Sequence, residues 1–119
     1  MGPVNWLAVV VAAVVAAALA WPWYGLMRSE RAPSALRLAW LIVPAAMIGH
    51  TLARVGAATL AIKPWLYWMM SGGFALAIIL PAGAALYGRH AIPPREGMVD
   101  AGYMLLAFLA MGTVFRLMA

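Results

Sequence analysis

The stretch LAWLIVPAAMIGHTLARVGAATLAI, residues 38–62, decides the fold class. It is apolar almost throughout and long enough to read as a membrane-spanning helix. Within it His50 and Arg54 stand four residues apart, on one face of the helix. Ionisable groups inside a span are costly, so each raises a functional question by default. Pro44 cannot donate to the carbonyl of Trp40 and predicts a kink there. Gly49, Ala53, Ala57 and Ala61 recur every fourth residue, a small-residue ridge for a neighbouring helix. The reading places this second helix over residues 35–62, with Ser34 as its N-cap.

Composition carries the same reading to the whole chain. With 67% hydrophobic and 9% charged residues and a mean hydropathy of +0.96, the surface does not suit water. Four spans of about 20 residues with short connections nearly exhaust the 119 residues, so residues 1–119 read as one domain. The fold class implied is all-α, an integral membrane bundle of four transmembrane helices over about 4–27, 35–62, 65–87 and 98–118. The net charge of +5 fits membrane topology and contact with anionic lipid. It offers no soluble basic face for nucleic acid. The absence of cysteine excludes disulfides, thiol chemistry, thioether-linked haem and thiolate metal sites.

The first helix is bracketed by aromatic residues, Trp6 at one end and Trp21, Trp23 and Tyr24 at the other, as interfacial anchoring requires. Between them Ala12, Ala16 and Ala20 form another small-residue ridge, and Pro22 predicts an end or bend in the last turn. Asn5 reads as the N-cap. Ala18-Leu19-Ala20 has the form of a signal-peptide cleavage site, but no Lys or Arg precedes the apolar run, so the segment reads as a retained helix. Trp6 stands where a myristoylation signal wants Ser or Thr. Lys63-Pro64 predicts a tight turn, and Trp65, Tyr67 and Trp68 a further aromatic belt. The third helix contains Ser71-Gly72-Gly73 and Pro81, two places of weak backbone. Such breaks let helices approach closely or, as in transporters, serve a binding site. The fourth helix begins near Met98 and carries Asp100 and Tyr103 in its first turns.

Four helices put residues 28–34 and 89–97 on one side. That side holds Arg28, Arg31, Arg37, Arg89 and Arg95, against Lys63 and Arg116 on the other. By the positive-inside rule these two connections are cytoplasmic and both termini face outward. Arg54 lies seventeen residues beyond Arg37, about 25 Å further along the helix. Asp100, Glu30 and Glu96 all belong to the cytoplasmic side, so none matches its depth. Arg54 must be met by backbone carbonyls, by outer headgroups or by an acid from outside the chain.

His50 reads first as a neutral histidine holding one interhelical hydrogen bond, within reach of Asn5, Tyr67 or Ser71. Ligation of a pigment or haem is a sharper alternative, but one histidine is a weak metal signal. A proton relay is a third. Asp100 reads as a cap of the fourth helix paired with Arg28, Arg31, Arg89 or Arg95, with Tyr103 as a neighbouring structural polar group. His90, beside Arg89 in a loop, reads as solvated.

Val4-Asn5-Trp6-Leu7-Ala8 and Trp23-Tyr24-Gly25 on the first helix, and Asp100-Ala101-Gly102-Tyr103 with Gly112 on the last, resemble a family. It is the group of small bacterial membrane proteins called domain of unknown function 1761. The resemblance implies a four-helix inner-membrane protein and carries over no catalytic residue. Pro22 and the His50–Arg54 pair depart from it.

Paired carboxylates and the HExxH, GxSxG, Walker and dinucleotide fingerprints are absent from the chain. The expectation is a non-enzymatic protein with the lipid bilayer and other transmembrane helices as its partners. It would be a homo-oligomer or a subunit of a larger complex, respiratory or photosynthetic hosts included. The alternative is a small-anion or lipid-headgroup binding or transport module, with His50, Arg54, Ser71, Gly72 and Gly73 lining a pocket.

Overall fold

The computed structural model describes residues 3–28, 33–87 and 93–119. Four helices in it are long and apolar enough to cross a membrane: Trp6–Leu26, Ala35–Val55, Leu66–Tyr87 and Pro94–Leu117. Among the described residues there is no strand. The chain is an all-α, multi-pass membrane bundle. Its long axis measures 45 Å, against 24 and 20 Å across, close to the ~40–45 Å of a bilayer with its headgroup layers.

The first span is α1 (Trp6–Ala18) followed by α2 (Ala20–Leu26). Asn5 caps it as expected, its Oδ1 accepting from the Ala8 N–H at 3.1 Å. The interruption at Leu19 follows from Pro22, whose missing N–H would have reached the Ala18 carbonyl. The effect is a bend, because the helix resumes and runs on to Leu26. The Ala12, Ala16 and Ala20 ridge is fully packed, at 0%, 0% and 3% exposure.

The second span departs from a single helix over residues 35–62. It starts as α3 (Ala35–Leu38), tightens into a 3₁₀ turn at Ala39–Leu41 and continues as α4 (Ile42–Val55). Ser34 caps it through a 3.3 Å bond from the Arg37 N–H. The 3₁₀ turn sits just before Pro44, where the lost bond to Trp40 frees the backbone to tighten. Gly56, at φ 91° and ψ 147°, then ends the span. Only glycine takes that conformation without strain, so the expected continuation becomes a separate short helix, α5 (Ala57–Ile62). The ridge is therefore cut: Gly49 is buried and Ala53 half-buried, but Ala57 and Ala61 are exposed.

After the Lys63-Pro64 turn the third span comprises α6 (Leu66–Phe74), a π turn at Ala75–Ile79 and α7 (Leu80–Tyr87). The helix is unbroken through Ser71-Gly72-Gly73, contrary to expectation. Its one irregularity lies just before Pro81, which removes a donor that a wider turn can do without.

The fourth span, α8 (Pro94–Leu117), starts a turn earlier than Met98. Pro94 occupies the first helical turn, where no N–H is needed. Asp100 is thus not the cap. It lies six residues past Pro94, about 9 Å into the helix. This span is the centre of the bundle, with 44% of its most apolar stretch buried, against 28% in the first two spans and 17% in the third. It packs along α1 on one side and α6 on the other, while α4 closes against both α1 and α6.

Asn5 also ties the two termini, its Nδ2 donating to the Met118 carbonyl at 3.1 Å. Asn5→Ala, which loses the cap and this tie together, is expected to lower stability by about 1 kcal/mol. Asn5→Asp keeps the cap acceptor and should recover part of the loss. Circular-dichroism melts of the three proteins in one detergent check this, and equal melting temperatures would contradict it.

Candidate functional site

The polar residues of the described chain concentrate at the end of the bundle that holds Arg28, Arg37 and Arg95. At its centre is Asp100, on α8. The Tyr24 hydroxyl donates to its Oδ1 at 2.5 Å, and the Tyr87 hydroxyl donates to its Oδ2 at 2.8 Å. One carboxylate therefore joins α2, α7 and α8. An aspartate placed within a span costs several kcal/mol, and two charge-assisted bonds offset part of that.

Asp100 was expected to pair with an arginine. Neither Arg28 nor Arg95 does so: Arg95 pairs with Glu96 at 3.4 Å and donates to the Met27 carbonyl, and Arg28 has no ion pair with Asp100 among the described residues. Arg31 and Arg89, the other two expected partners, lie outside the described residues, as do Glu30 and His90. The tyrosines reach the carboxylate because both stand at the C-terminal ends of their spans, which lie at the same end of the bundle as the start of α8. Tyr24 is 2% exposed, and the neighbouring Trp23 indole is fixed by its Nε1 donating to the Val99 carbonyl at 2.9 Å.

Tyr103, one turn further along α8, is fully buried. Its hydroxyl donates to the Ala16 carbonyl at 2.6 Å, and its ring lies 5.5 Å from that of Tyr24. The small side chains of the Ala12–Ala20 ridge let the two helices come close enough for that bond.

Beside the carboxylate is a chamber of about 420 Å³ lined by Tyr24, Pro33, Ser34, Arg37, Tyr87, Asp100 and Met104. All four spans contribute to it. Sequence reading had singled out Asp100 and capped Ser34, but counted Arg37 only toward topology and Tyr24 only as an interfacial aromatic. The signal that could have found them is depth. Once the topology is assigned, Tyr24, Arg37, Tyr87 and Asp100 all fall near the same membrane face.

The other expected site has a different layout. The His50 Nδ1–H donates to the Ala46 carbonyl of its own helix at 2.8 Å, and its ring meets the edge of Trp6 at 5.3 Å. It makes no bond to Asn5, Tyr67 or Ser71. Arg54 is exposed and has no ion pair or hydrogen bond among the described residues. Ser71 is buried, with its hydroxyl donating to the Tyr67 carbonyl at 2.8 Å. Gly72 faces Leu109, while a Cβ on Gly73 would meet nothing within 4 Å. No hydrogen bond joins these five residues across helices. The cavity at that end, about 200 Å³, is mainly apolar and is lined by Asn5, Gly49, Ala53, Ala57, Tyr67 and Phe115 among others. Neither His50 nor Arg54 nor Ser71 lines it. Among the described residues no three of His, Cys, Asp and Glu are placed to hold a metal ion.

No protein-family model, curated protein or solved structure matches this chain.

Proposed function

We propose that this chain is a non-enzymatic protein of the bacterial inner membrane that packs through its third span against the transmembrane helices of another subunit. The proposal includes the topology read from the arginines, with residues 28–34 and 89–97 cytoplasmic and both termini outward. It also includes membership of the family that the opening and closing motifs resemble. The partner is a second copy or a larger membrane complex.

The observation that carries this reading is the state of the third span. No residue of α7 is buried, and the span as a whole is the least covered of the four. What it leaves uncovered includes a cluster of small residues: Gly73 is open, and Ala77, Ala82, Ala84 and Ala85 are exposed beside Leu76, Ile78 and Leu86. Lipid tails are as apolar as leucine, so helix association in a membrane relies on close van der Waals packing, which small residues permit. Large side chains face outward on every span, Val14, Trp40, Met47 and Leu106 on the other three among them, so what distinguishes the third span is its group of exposed alanines between Ala77 and Ala85.

Gly73→Leu tests it. The added side chain has open space in the monomer and a better helix former replaces glycine, so the fold is expected to survive with an unchanged or slightly raised melting temperature. Association is expected to weaken by at least about tenfold, which is ~1.4 kcal/mol. Native mass spectrometry after gentle extraction reads the species directly. A wild-type protein that is monomeric and alone, or an assembly indifferent to Gly73→Leu, contradicts the proposal.

A further inference from the structure

The chamber around Asp100 is not isolated. On one side it shares Tyr87, Asp100 and Met104 with a cleft of about 490 Å³ between the third and fourth spans, whose other walls include Ile79, Leu80, Gly83 and Met98. On the opposite side it shares Tyr24 and Pro33 with a cleft of about 570 Å³ between the first and second spans, walled by Ala17, Trp21, Gly25 and Leu38. A polar compartment thus stands between two apolar ones at a membrane face. That is the outline of one headgroup and two acyl chains.

The charges in the compartment narrow the headgroup. Asp100 contributes one negative charge. Each of its oxygens accepts one tyrosine hydroxyl and retains acceptor capacity for a further donor. Arg37, on the second span, contributes one positive charge to the same compartment, and its guanidinium has no hydrogen bond or ion pair among the described residues. Its planar set of donors suits a phosphate. The two charges cancel, so a ligand that satisfies both is a zwitterion with an ammonium and a phosphate. An anionic glycerol headgroup has nothing to neutralise Asp100. A choline headgroup brings the charge but no N–H to donate.

We propose that this compartment binds a zwitterionic diacyl phospholipid with a primary amine, its ammonium on Asp100, its phosphate on Arg37 and one acyl chain in each flanking cleft. The site borders the packing face of the third span and shares Ala84 with it. The lipid seals the two clefts and completes the bundle at that end, where α7 has no buried residue of its own.

The test is native mass spectrometry of the full chain, delipidated in detergent and then titrated in parallel with phosphatidylethanolamine, phosphatidylcholine, phosphatidylglycerol and water-soluble phosphoethanolamine. The ethanolamine lipid is expected to be retained at least about tenfold better than the other two lipids. Arg37→Gln removes an exposed side chain that has no hydrogen bond or ion pair among the described residues, so it should leave the melting temperature unchanged and reduce retention about tenfold. Gly83→Leu, which has open space for the added atoms but enters the cleft beside α8, should reduce retention without altering headgroup preference. Asp100→Asn should abolish the preference for the ethanolamine lipid over the glycerol lipid. Equal retention of the three lipids overturns the proposal, as does retention unaffected by Arg37→Gln and Gly83→Leu. Phosphoethanolamine binding as tightly as the diacyl lipid also overturns it, because the clefts would then have no part in binding.

Discussion

Gly112→Val is expected to leave no stably folded protein in mild detergent, and Gly112→Ala to fold with a clearly lowered melting temperature. Gly112 lies where α8 packs against Tyr67 and Ser71 of α6. A Cβ there would stand 2.7 Å from the Tyr67 carbonyl oxygen and 3.2 Å from the Ser71 Cβ. Two effects oppose each other. Replacing a helical glycine by alanine gains up to about 1 kcal/mol of helix propensity. Overpacking a dense contact costs about 1–3 kcal/mol, and here the obstacle is a backbone carbonyl that cannot rotate away. The clash wins. Separation of the helices would also pull apart the 2.8 Å bond from the Trp68 Nε1 to the Thr113 hydroxyl and displace Arg116 from the Trp68 ring, 5.1 Å away. The control is Gly73→Ala on the same helix as Tyr67, where the added methyl group meets nothing and stability should hold or rise. Melting curves for the three variants decide the matter. If Gly112→Ala melts with the wild type, the contact is softer than its geometry implies.

Tyr103→Ala is the second large effect, an expected loss of about 3–5 kcal/mol, the range for deleting a buried aromatic ring. Tyr103 is fully buried at the centre of the bundle. Its removal takes away both the ring packed at 5.5 Å against Tyr24 and the hydroxyl bonded to Ala16. Tyr103→Phe separates the two. Hydrogen bonds between membrane helices are worth only about 0.6 kcal/mol on average, so the phenylalanine variant should retain most of the stability. In a bilayer the penalty for the cavity is chiefly lost van der Waals contact, because water is not the competing solvent. The lower end of the range is therefore expected. A phenylalanine variant as unstable as the alanine variant would shift the weight from the ring to the hydroxyl. The same loss would loosen Tyr24, so Tyr103→Ala should also reduce ethanolamine-lipid retention, which Tyr103→Phe should leave intact.

The candidate site shows where sequence reasoning reached and where it stopped. Asp100 was legible as the charged group needing a partner, because an acid near a span is costly whatever surrounds it. Its partners were not. Tyr24 lies 76 residues before it in the chain, and no local pattern connects them. Arginines were the natural expectation from charge alone, and among the described residues two neutral donors reach the carboxylate instead. Likewise Ser71-Gly72-Gly73 looked like a weak point, yet tertiary packing holds it helical, with Gly72 against Leu109 and Ser71 against Gly112.

What followed from the residues alone was everything governed by local chemistry and by the bilayer. Apolar length defined the four spans, side-chain oxygens of Asn5 and Ser34 marked two helix starts, and the alanine spacing marked the packed face of α1. Each of these depends on neighbours within a turn or on the cost of leaving backbone polar groups unpaired in lipid. The tertiary structure alone decided how far each helix tolerates its glycines and prolines, which tyrosines reach Asp100, and that Arg37 lines the same chamber. Those outcomes depend on contacts between residues distant in sequence, whose energies of a few kcal/mol outweigh local propensities of a few tenths.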